Sequence, residues 1–397
     1  MSGPLDGIRV LDLTRFVSGP HATQMLGDFG ADVVKVEPPG AGDPTRLLDR
    51  MAGEPDSLFA ITISRSKRSL ALDLYSDQGK AVLADLIKAA DVLVENFRPG
   101  TMERMGFGWE EAKALNPRLI FVRVSGFGQD GPWATRAAYD PVIQALSGFM
   151  ELTGPADGPP TVCGTIITDY LTGLHTVIGT LTALQERERT SEGQWVDVAM
   201  LDGATSVLNT VLPEYLSFSH ARTRRGNLNP ISVPSQTFPC KDGRWVHITA
   251  ANDADFVKIC TVMQRPDLPE DPRFATIEAR KLHQPPLEGI MTAWTMQHAS
   301  EDVEQWLMAT GLAVTRVADI ADVANNPQLA HRGHFIEVEH PLQGKVKVAG
   351  PPVRFSNHAA ITGGKIPLAG EHTAEVLAEW LGYSAEQVAG IAKASER

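Results

Sequence analysis

Asp169 is the first candidate for chemistry in this 397-residue chain. It stands in the stretch Thr161-Val-Cys-Gly-Thr-Ile-Ile-Thr-Asp-Tyr-Leu-Thr-Gly173, ahead of an apolar run. Leu171, Leu174, Val177, Ile178, Leu181 and Leu184 recur there at helical spacing, which predicts a buried helix over Tyr170–Leu184 with Asp169 at its start. Two roles fit a carboxylate in that place. It can cap free backbone N–H groups and complement the positive end of the helix dipole. Alternatively it is a nucleophile, attacking an acyl group to form a covalent intermediate that splits one hard step into two.

A second chemical cluster is Asn96-Phe97-Arg98-Pro99-Gly100, which follows an apolar strand, with Arg104 close behind. Pro99-Gly100 is a common turn pair, so a plain turn is one reading. The other is a nucleotide grip, in which Phe97 offers an aromatic face and Arg98 and Arg104 offer planar donors for phosphate. The basic run Ser64-Arg-Ser-Lys-Arg-Ser69 reads as a solvated loop. The turn Thr14-Arg-Phe-Val-Ser-Gly-Pro20, followed by Glu37, imitates a dinucleotide-binding unit. It lacks G-x-G-x-x-G, so the backbone cannot approach a pyrophosphate as that motif does, and NAD is not expected.

These residues need elements to position them. Arg9-Val-Leu-Asp-Leu13 and Ala31–Glu37 read as strands around a helix over Gly19–Phe29. Leu70–Leu74 and Asp91–Glu95 read as strands around a helix over Asp77–Ala90 capped by Ser76, and Leu119–Val124 as another strand. Repeated strand–helix–strand units give an α/β fold with a parallel sheet. Ligands on such sheets sit at the carboxyl ends of strands, which places Thr14–Pro20, Glu37–Arg46, Asn96–Arg104 and Ser125–Gly131 on the functional rim. From His220 to Pro239 the chain turns polar and proline-rich, with Pro230, Pro234 and Pro239, and reads as a linker. Beyond it a strand over Arg244–Thr249, helices over Ala254–Met263 and Ala299–Gly311, and a hairpin of Phe335–Glu339 with Gly344–Ala349 suggest a smaller α+β unit. Two amphipathic helices, Thr373–Leu381 and Ser384–Lys393, close the chain, with Thr373 a cap.

Composition narrows the function. A net charge of −12 argues against nucleic acid, so cations for an anionic ligand must be gathered locally. Eleven scattered histidines and three distant cysteines (Cys163, Cys240, Cys260) give no metal site and no disulfide framework, and fit a reducing compartment. No apolar run reaches membrane-spanning length and no signal peptide is read at the N-terminus, so a cytoplasmic protein is expected.

Ordered motifs along the chain carry a resemblance. Leu5-Asp-Gly-Ile-Arg-Val-Leu-Asp-Leu-Thr14, Gly19-Pro20, Gly30-Ala-Asp-Val-Val-Lys-Val-Glu37, Gly42-Asp-Pro-Thr-Arg46, Lys67-Arg-Ser69, Val94-Glu-Asn-Phe-Arg-Pro-Gly100, Asn116-Pro117, Ser125-Gly-Phe-Gly128, Thr168-Asp169 and Gly370-Glu-His-Thr373 resemble the family III CoA-transferases, the CaiB/BaiF-like relatives of formyl-CoA transferase and carnitine CoA-transferase. The resemblance runs from about residue 4 to about residue 392. It implies a large domain with a Rossmann-like core over residues 1–219, a linker over 220–239, a small α+β domain over 240–334 and a return segment over 335–397 completing the large domain. It also implies protomers threaded through each other as an interlocked homodimer.

On the resemblance, Asp169 occupies the place of the family's nucleophile, which forms a mixed anhydride with the donor acyl group and then an aspartyl-CoA thioester. Coenzyme A and acyl-CoA are then substrates, with no permanently bound cofactor and no metal. Val17, Ser18, Leu72, Asn96, Phe97, Arg98, Arg104 and Tyr139 match CoA-contacting positions. Pro38 and Tyr75 stand where relatives carry basic residues, which weakens phosphate contacts there. Leu48 replaces a tryptophan of formyl-CoA transferase and a glycine run over its oxalate site is missing, which argues against formyl-CoA and oxalate. The expected reaction moves CoA from a donor such as succinyl-CoA to a small organic acid, with Arg15, Arg46 and Arg225 as candidates for a second carboxylate. An α-methylacyl-CoA racemase-like isomerase and a catalytically silent CoA-binding protein are the alternatives. The racemase branch uses a histidine near the position of Tyr139, and a tyrosine is a poor base near neutral pH.

Overall fold

A computed structural model describes residues 3–229, 231–358 and 363–395. Pro230 of the expected linker, and residues 359–362 and 396–397 of the expected return segment, lie outside the described residues. The chain divides into two compact units, one of Met1–Phe149, Val162–His220 and Gln328–Arg397, the other of Met150–Thr161 and Ala221–Pro327.

The first unit is built on six parallel strands: β1 (Arg9–Asp12), β2 (Asp32–Glu37), β3 (Lys67–Ala71), β4 (Val92–Glu95), β5 (Ile120–Ser125) and β6 (Gln194–Ala199). Their order is β3-β2-β1-β4-β5-β6. Chain direction along the sheet reverses between β1 and β4, so a crevice opens beyond their carboxyl ends. Strands buried on both faces need apolar side chains on both, and Val10, Leu11, Val33, Val34, Val92, Leu93, Val94, Ile120, Phe121 and Val122 are essentially inaccessible. β6 was not read from sequence. It pairs with β5 at the sheet edge, and its outward Trp195 is exposed.

The helices of this unit are α1 (Ser18–Asp28), α2 (Leu58–Ser64), α3 (Asp77–Ala89), α4 (Thr101–Met105), α5 (Trp109–Leu115), α6 (Asp140–Leu146), α7 (Phe149–Leu152, whose first residue alone belongs here), α8 (Ile167–Thr190), α9 (Met200–Ser206) and α10 (Val211–Phe218). The Ser76 hydroxyl caps α3 by accepting from the Gly79 N–H, as expected. α8 is longer than the apolar periodicity predicts. Its polar end is anchored by Arg187, buried against Asp91 at 3.0 Å and donating to the Arg118 carbonyl. Gly173 lets α8 lie close to α1: a Cβ there would stand 2.8 Å from His21 Cδ2 and 3.1 Å from the Ser18 carbonyl.

The basic run Ser64–Ser69 is not a solvated loop, and its last residues begin β3, which therefore starts three residues earlier than expected. Lys67 is buried 3.0 Å from Asp12, Arg65 is 2.8 Å from Asp28 and Arg68 is 2.5 Å from Asp32. The network continues through Lys35–Asp43 at 2.9 Å, Arg46–Glu37 at 2.7 Å and Arg46–Asp56 at 2.6 Å. Burial alone would raise Asp12. The charges of Lys67 and Lys35 and the Thr14 and Thr23 hydroxyls override it and hold that carboxyl well below the usual range. The glutamate that mimicked a ribose-binding acid is thus occupied: Glu37 accepts from Arg46 and from Ser69.

The hairpin forms as expected from β10 (Phe335–His340) and β11 (Gly344–Ala349), with β12 (Gly363–Lys365) parallel to β10. The closing helices follow. Thr373 does not cap its own helix; its hydroxyl accepts from the Ala71 N–H of β3 and donates to the Gly370 carbonyl.

In the second unit, part of the expected linker is a strand. β7 (Ser235–Pro239) pairs antiparallel with β8 (Trp245–Thr249), which pairs with β9 (Ala313–Arg316). Pro234 directly precedes β7 and Pro239 ends it, where no ladder N–H is lost. Helices α11 (Asp253–Val262), α12 (Ile277–Leu282), α13 (Gln284–Thr295), α14 (Ser300–Met308) and α15 (Ile320–Ala324) belong to this unit. Its core gathers Phe238, Val246, Ile248, Phe256, Ile259, Phe274, Leu287, Met291 and Leu307. Ser300 does not cap α14, because its hydroxyl donates to Asp242. Beyond it come α16 (Pro327–His331) and, in the first unit, α17 (Thr373–Leu381) and α18 (Ala385–Ser395).

Candidate active site

A pocket of about 450 Å³ opens in the first unit at the chain reversal between β1 and β4. Its walls come from the turn after β1 (Phe16, Val17, Ser18), the loop after β4 (Asn96, Phe97, Arg98, Pro99), the end of β5, the start of α6 (Tyr139, Asp140) and the start of α8 (Ile166, Asp169). Most of the lining is apolar carbon with a few convergent polar groups, the usual character of a small-molecule site.

Asp169 is the third residue of α8, not its cap, and Ile166 before the helix makes no side-chain cap bond. Burial pushes its carboxyl up to about 7, the charge of Asp140 adds to this, and a hydrogen bond with Ser18 opposes it. A carboxyl raised this far by its surroundings, in a cleft, marks a candidate for chemistry. The nearby backbone donors are taken: Thr168 N–H donates to Asp140 at 2.8 Å and Tyr170 N–H to the Ile166 carbonyl at 3.3 Å. The turn leading into α1 is bent, with Phe16 at φ 63°, and no side chain caps α1. A left-handed non-glycine residue costs energy that the surroundings must supply. Here the Phe16 ring packs edge-on against Tyr139 at 6.4 Å.

The loop after β4 is held from behind. Glu95 accepts from Phe97 N–H at 2.7 Å and is paired with Arg123 at 3.1 Å, and Arg123 reaches Glu103 of α4 at 2.8 Å. Burial raises Glu95 to about 7 despite Arg123. Asn96 and Arg15 exchange two hydrogen bonds of 2.7 Å, one from Arg15 N–H to Asn96 Oδ1 and one from Asn96 Nδ2 to the Arg15 carbonyl. The Arg15 guanidinium lies over the Phe97 ring at 5.3 Å.

Residues 5–373 match the description CoA-transferase family III. The chain belongs to that family. A succinyl-CoA–D-citramalate CoA-transferase of Chloroflexus aurantiacus is 37% identical over 97% of this chain and 96% of its own length. A formyl-CoA:oxalate CoA-transferase of Rhodopseudomonas palustris is 37% identical, covering 98% of this chain and 96% of its own. The crystal structure of a CaiB/BaiF family protein from Brucella suis superposes with a TM-score of 0.88 at 36% identity, over 96% of this chain and 100% of that one.

For this family III chain, the pocket brings together Asp169, Val17, Ser18, Asn96, Phe97, Arg98 and Tyr139 of the residues singled out in the sequence. Leu72 is buried instead beside a smaller cavity of about 40 Å³, shared with Phe97, Arg15, Pro38 and Tyr75. Arg104 lines neither cavity and donates to Thr101 on the exposed side of its own helix. Arg46 is unavailable to a substrate carboxylate, because Glu37 and Asp56 hold its guanidinium in the interior. Arg225 is an exposed residue of the second unit.

Two ionisable pocket residues escaped the sequence reading. Arg136 lines the pocket with its guanidinium 5.1 Å from the Trp133 ring and 5.8 Å from Phe127. The alternation of Phe127, Trp133 and Arg136 in a loop after a strand was the available signal. Asp140 was hidden as an ordinary acidic residue before Pro141 at a helix start. Among the described residues no group of His, Cys, Asp and Glu could hold a metal, and no helix is long and apolar enough to cross a membrane.

Proposed function

We propose that the protein is an acyl-CoA:carboxylate CoA-transferase with Asp169 as its covalent carrier. The supporting observation is a carboxyl raised to about 7 in the apolar pocket at the chain reversal of the sheet. The Asp169 carboxylate attacks the thioester carbonyl, the C–S bond breaks, and CoA thiolate leaves a mixed anhydride. The thiolate then attacks the Asp169 carbonyl, breaking the anhydride C–O bond and releasing the donor acid. The acceptor carboxylate attacks this aspartyl-CoA thioester, its C–S bond breaks to give a second mixed anhydride and CoA thiolate, and the thiolate attacks the acceptor's acyl carbonyl, breaking the anhydride C–O bond to form the new acyl-CoA and free the Asp169 carboxylate. Each step exchanges one activated carbonyl for another, so the free energy of the thioester is not lost to hydrolysis if water is kept out. The Ser18 hydroxyl bonded to Asp169 and the dipole of α8 favour the anion when it is needed.

Val17, Ser18, Asn96, Phe97, Arg98 and Tyr139 are assigned to the CoA chain, with Leu72 and Arg104 farther along the nucleotide. The fixed loop behind Phe97 supports a stacking or phosphate-gripping role for that segment. For substrates we favour succinyl-CoA or a similar donor and a small dicarboxylic acid, since citramalate and oxalate, in the relatives' names, are both dicarboxylates. A homodimer is supported by large apolar side chains left exposed on α8 and α10, including Leu174, Ile178, Leu216 and Phe218. Light scattering of the purified protein reads that directly.

The deciding experiment mixes the protein with a panel of acyl-CoAs and measures its intact mass, with hydroxylamine trapping and peptide mapping. A CoA-sized adduct on the Asp169 peptide, lost in Asp169→Ala, is the expected result. Undiminished transfer by Asp169→Ala overturns the assignment. Exchange of the α-proton into deuterated water without any adduct would move the reading to the racemase.

A further inference from the structure

We propose that Asp140 and Gln144, one turn apart on α6, are positioning residues that fix the loop leading into α8, which carries Asp169. The inference rests on Asp169 being the reactive carboxylate. Asp140 is buried at 3% exposure and its Oδ1 accepts both the Thr168 N–H at 2.8 Å and the Thr168 hydroxyl at 2.7 Å. Gln144, 1% exposed, donates from Nε2 to Asp140 Oδ2 at 2.7 Å, and its Oε1 accepts the Cys163 N–H at 2.9 Å. A longer contact joins Nε2 to the Thr165 carbonyl at 3.4 Å. The two side chains therefore hold both ends of the segment from Cys163 to Thr168, the residue before Asp169.

This arrangement is costly unless it is used. A buried carboxylate is expensive, and the bonds to Thr168 and Gln144 compensate without any cation in direct contact with it among the described residues. A neutral asparagine would satisfy the same backbone N–H. The charge that remains acts on Asp169 next door, and Asp140 itself lines the same pocket. The elements packed around this region carry other polar and titratable groups. α1 brings Ser18 and His21, whose ring stands 5.0 Å from Tyr170; α6 is preceded by Tyr139; α9, packed on α8, carries Asp202; and the pocket loops carry Arg98 and Arg136. Of these, Asp140 supplies the like charge that adds to burial in raising the Asp169 carboxyl. α6 begins directly after Tyr139, so an acyl-CoA that moves Tyr139 also moves the group that aims and tunes the nucleophile.

Three variants separate aiming from tuning. Asp140→Asn keeps an acceptor for Thr168 but removes the charge, Asp140→Ala removes both, and Gln144→Ala releases the Cys163 end. The direct readout is a 13C titration of aspartate-labelled protein, with Asp169 assigned by its loss in Asp169→Asn. In Asp140→Asn the Asp169 resonance should titrate about one pH unit lower, and the acid limb of kcat/KM should move with it. Asp140→Ala and Gln144→Ala should lower kcat about tenfold with little change in KM for acyl-CoA, while Asn at 140 restores most of kcat. An unmoved Asp169 titration in Asp140→Asn, or equal loss of kcat and thermal stability that Asn does not rescue, overturns the proposal. If Asp140→Ala does not fold, the Asn variant and Gln144→Ala still decide it. Because the titration needs no turnover, it stands even if Asp169→Ala keeps full transfer and the nucleophile assignment itself fails.

Discussion

Asp169→Asn should make the protein more stable, and only above acidic pH. A carboxyl whose folded value is raised binds its proton more tightly in the folded state than in the unfolded one. At low pH both states are protonated and the group contributes nothing. As pH climbs from the ordinary 3.8 towards about 7, the unfolded chain ionises and the folded site resists, so folding loses free energy. Above about 7 both are ionised and the penalty is constant. Its ceiling, at 1.36 kcal/mol per pH unit, is about 4 kcal/mol. The side chain is only partly shut off from the water-filled pocket, and screening reduces the usable figure to about 1–2 kcal/mol. In a chain of this size that is about 1–2 °C in Tm. Thermal melts of wild type and Asp169→Asn between pH 4 and 8 read it. The two curves should meet near pH 4 and separate towards pH 7. Parallel curves, or a variant less stable at neutral pH, would refute the claim that this site stores strain as an unwelcome charge.

Other outcomes follow from contacts already described. Arg136→Ala should raise KM for acyl-CoA about tenfold in steady-state assays with kcat nearly unchanged, as for a lost charge-assisted contact to a substrate oxygen. Gly173→Ala places a methyl 2.8 Å from His21 Cδ2; it should cost about 1–3 kcal/mol in urea denaturation and lower kcat by parting Ser18 from Asp169. Arg46→Ala leaves Glu37 and Asp56 buried without their cation and should cost about 3–5 kcal/mol. Glu37 is opposed by burial but held down to about 2 by Arg46, so its stabilisation is complete above 4.5 and lost as pH falls towards about 2. Denaturation of Glu37→Gln across that window should show its deficit shrinking with pH.

The parallel sheet was legible because strands buried on both faces must be apolar runs, as Val92–Val94 and Ile120–Val122 are. β3 was misplaced for the opposite reason. Lys67 and Arg68 look like solvent-facing residues until Asp12 and Asp32 come beside them, and such pairing across the fold leaves no local trace. Arg46 was offered to the substrate because Glu37 and Asp56, each some ten residues away, do not advertise that they enclose it. Asp169, which lines the pocket, stood out in the sequence because its context of Thr168, an apolar helix and a resemblance over the whole chain coincide. Asp140 was not, since its meaning lies in Thr168, a partner 28 residues on.

The last segment of the chain closes the first unit. Trp380 donates to Asp32 at 2.8 Å, His372 N–H donates to the Ser69 carbonyl at 2.9 Å, and Val376, Leu377 and Trp380 complete the core that Leu70 and Leu83 begin. On a ribosome adding about 5–20 residues per second, β3 therefore waits roughly ten seconds or more for its cover. The long middle stretch from Ala221 to Pro327 emerges meanwhile with most of its own core in hand. Birth order thus runs against sequence order: the later-made unit can settle first, and the unit bearing Asp169 matures only once its closing segment has been made. A premature stop near residue 370 would then yield an aggregation-prone chain, a client for chaperones, in place of a slower enzyme.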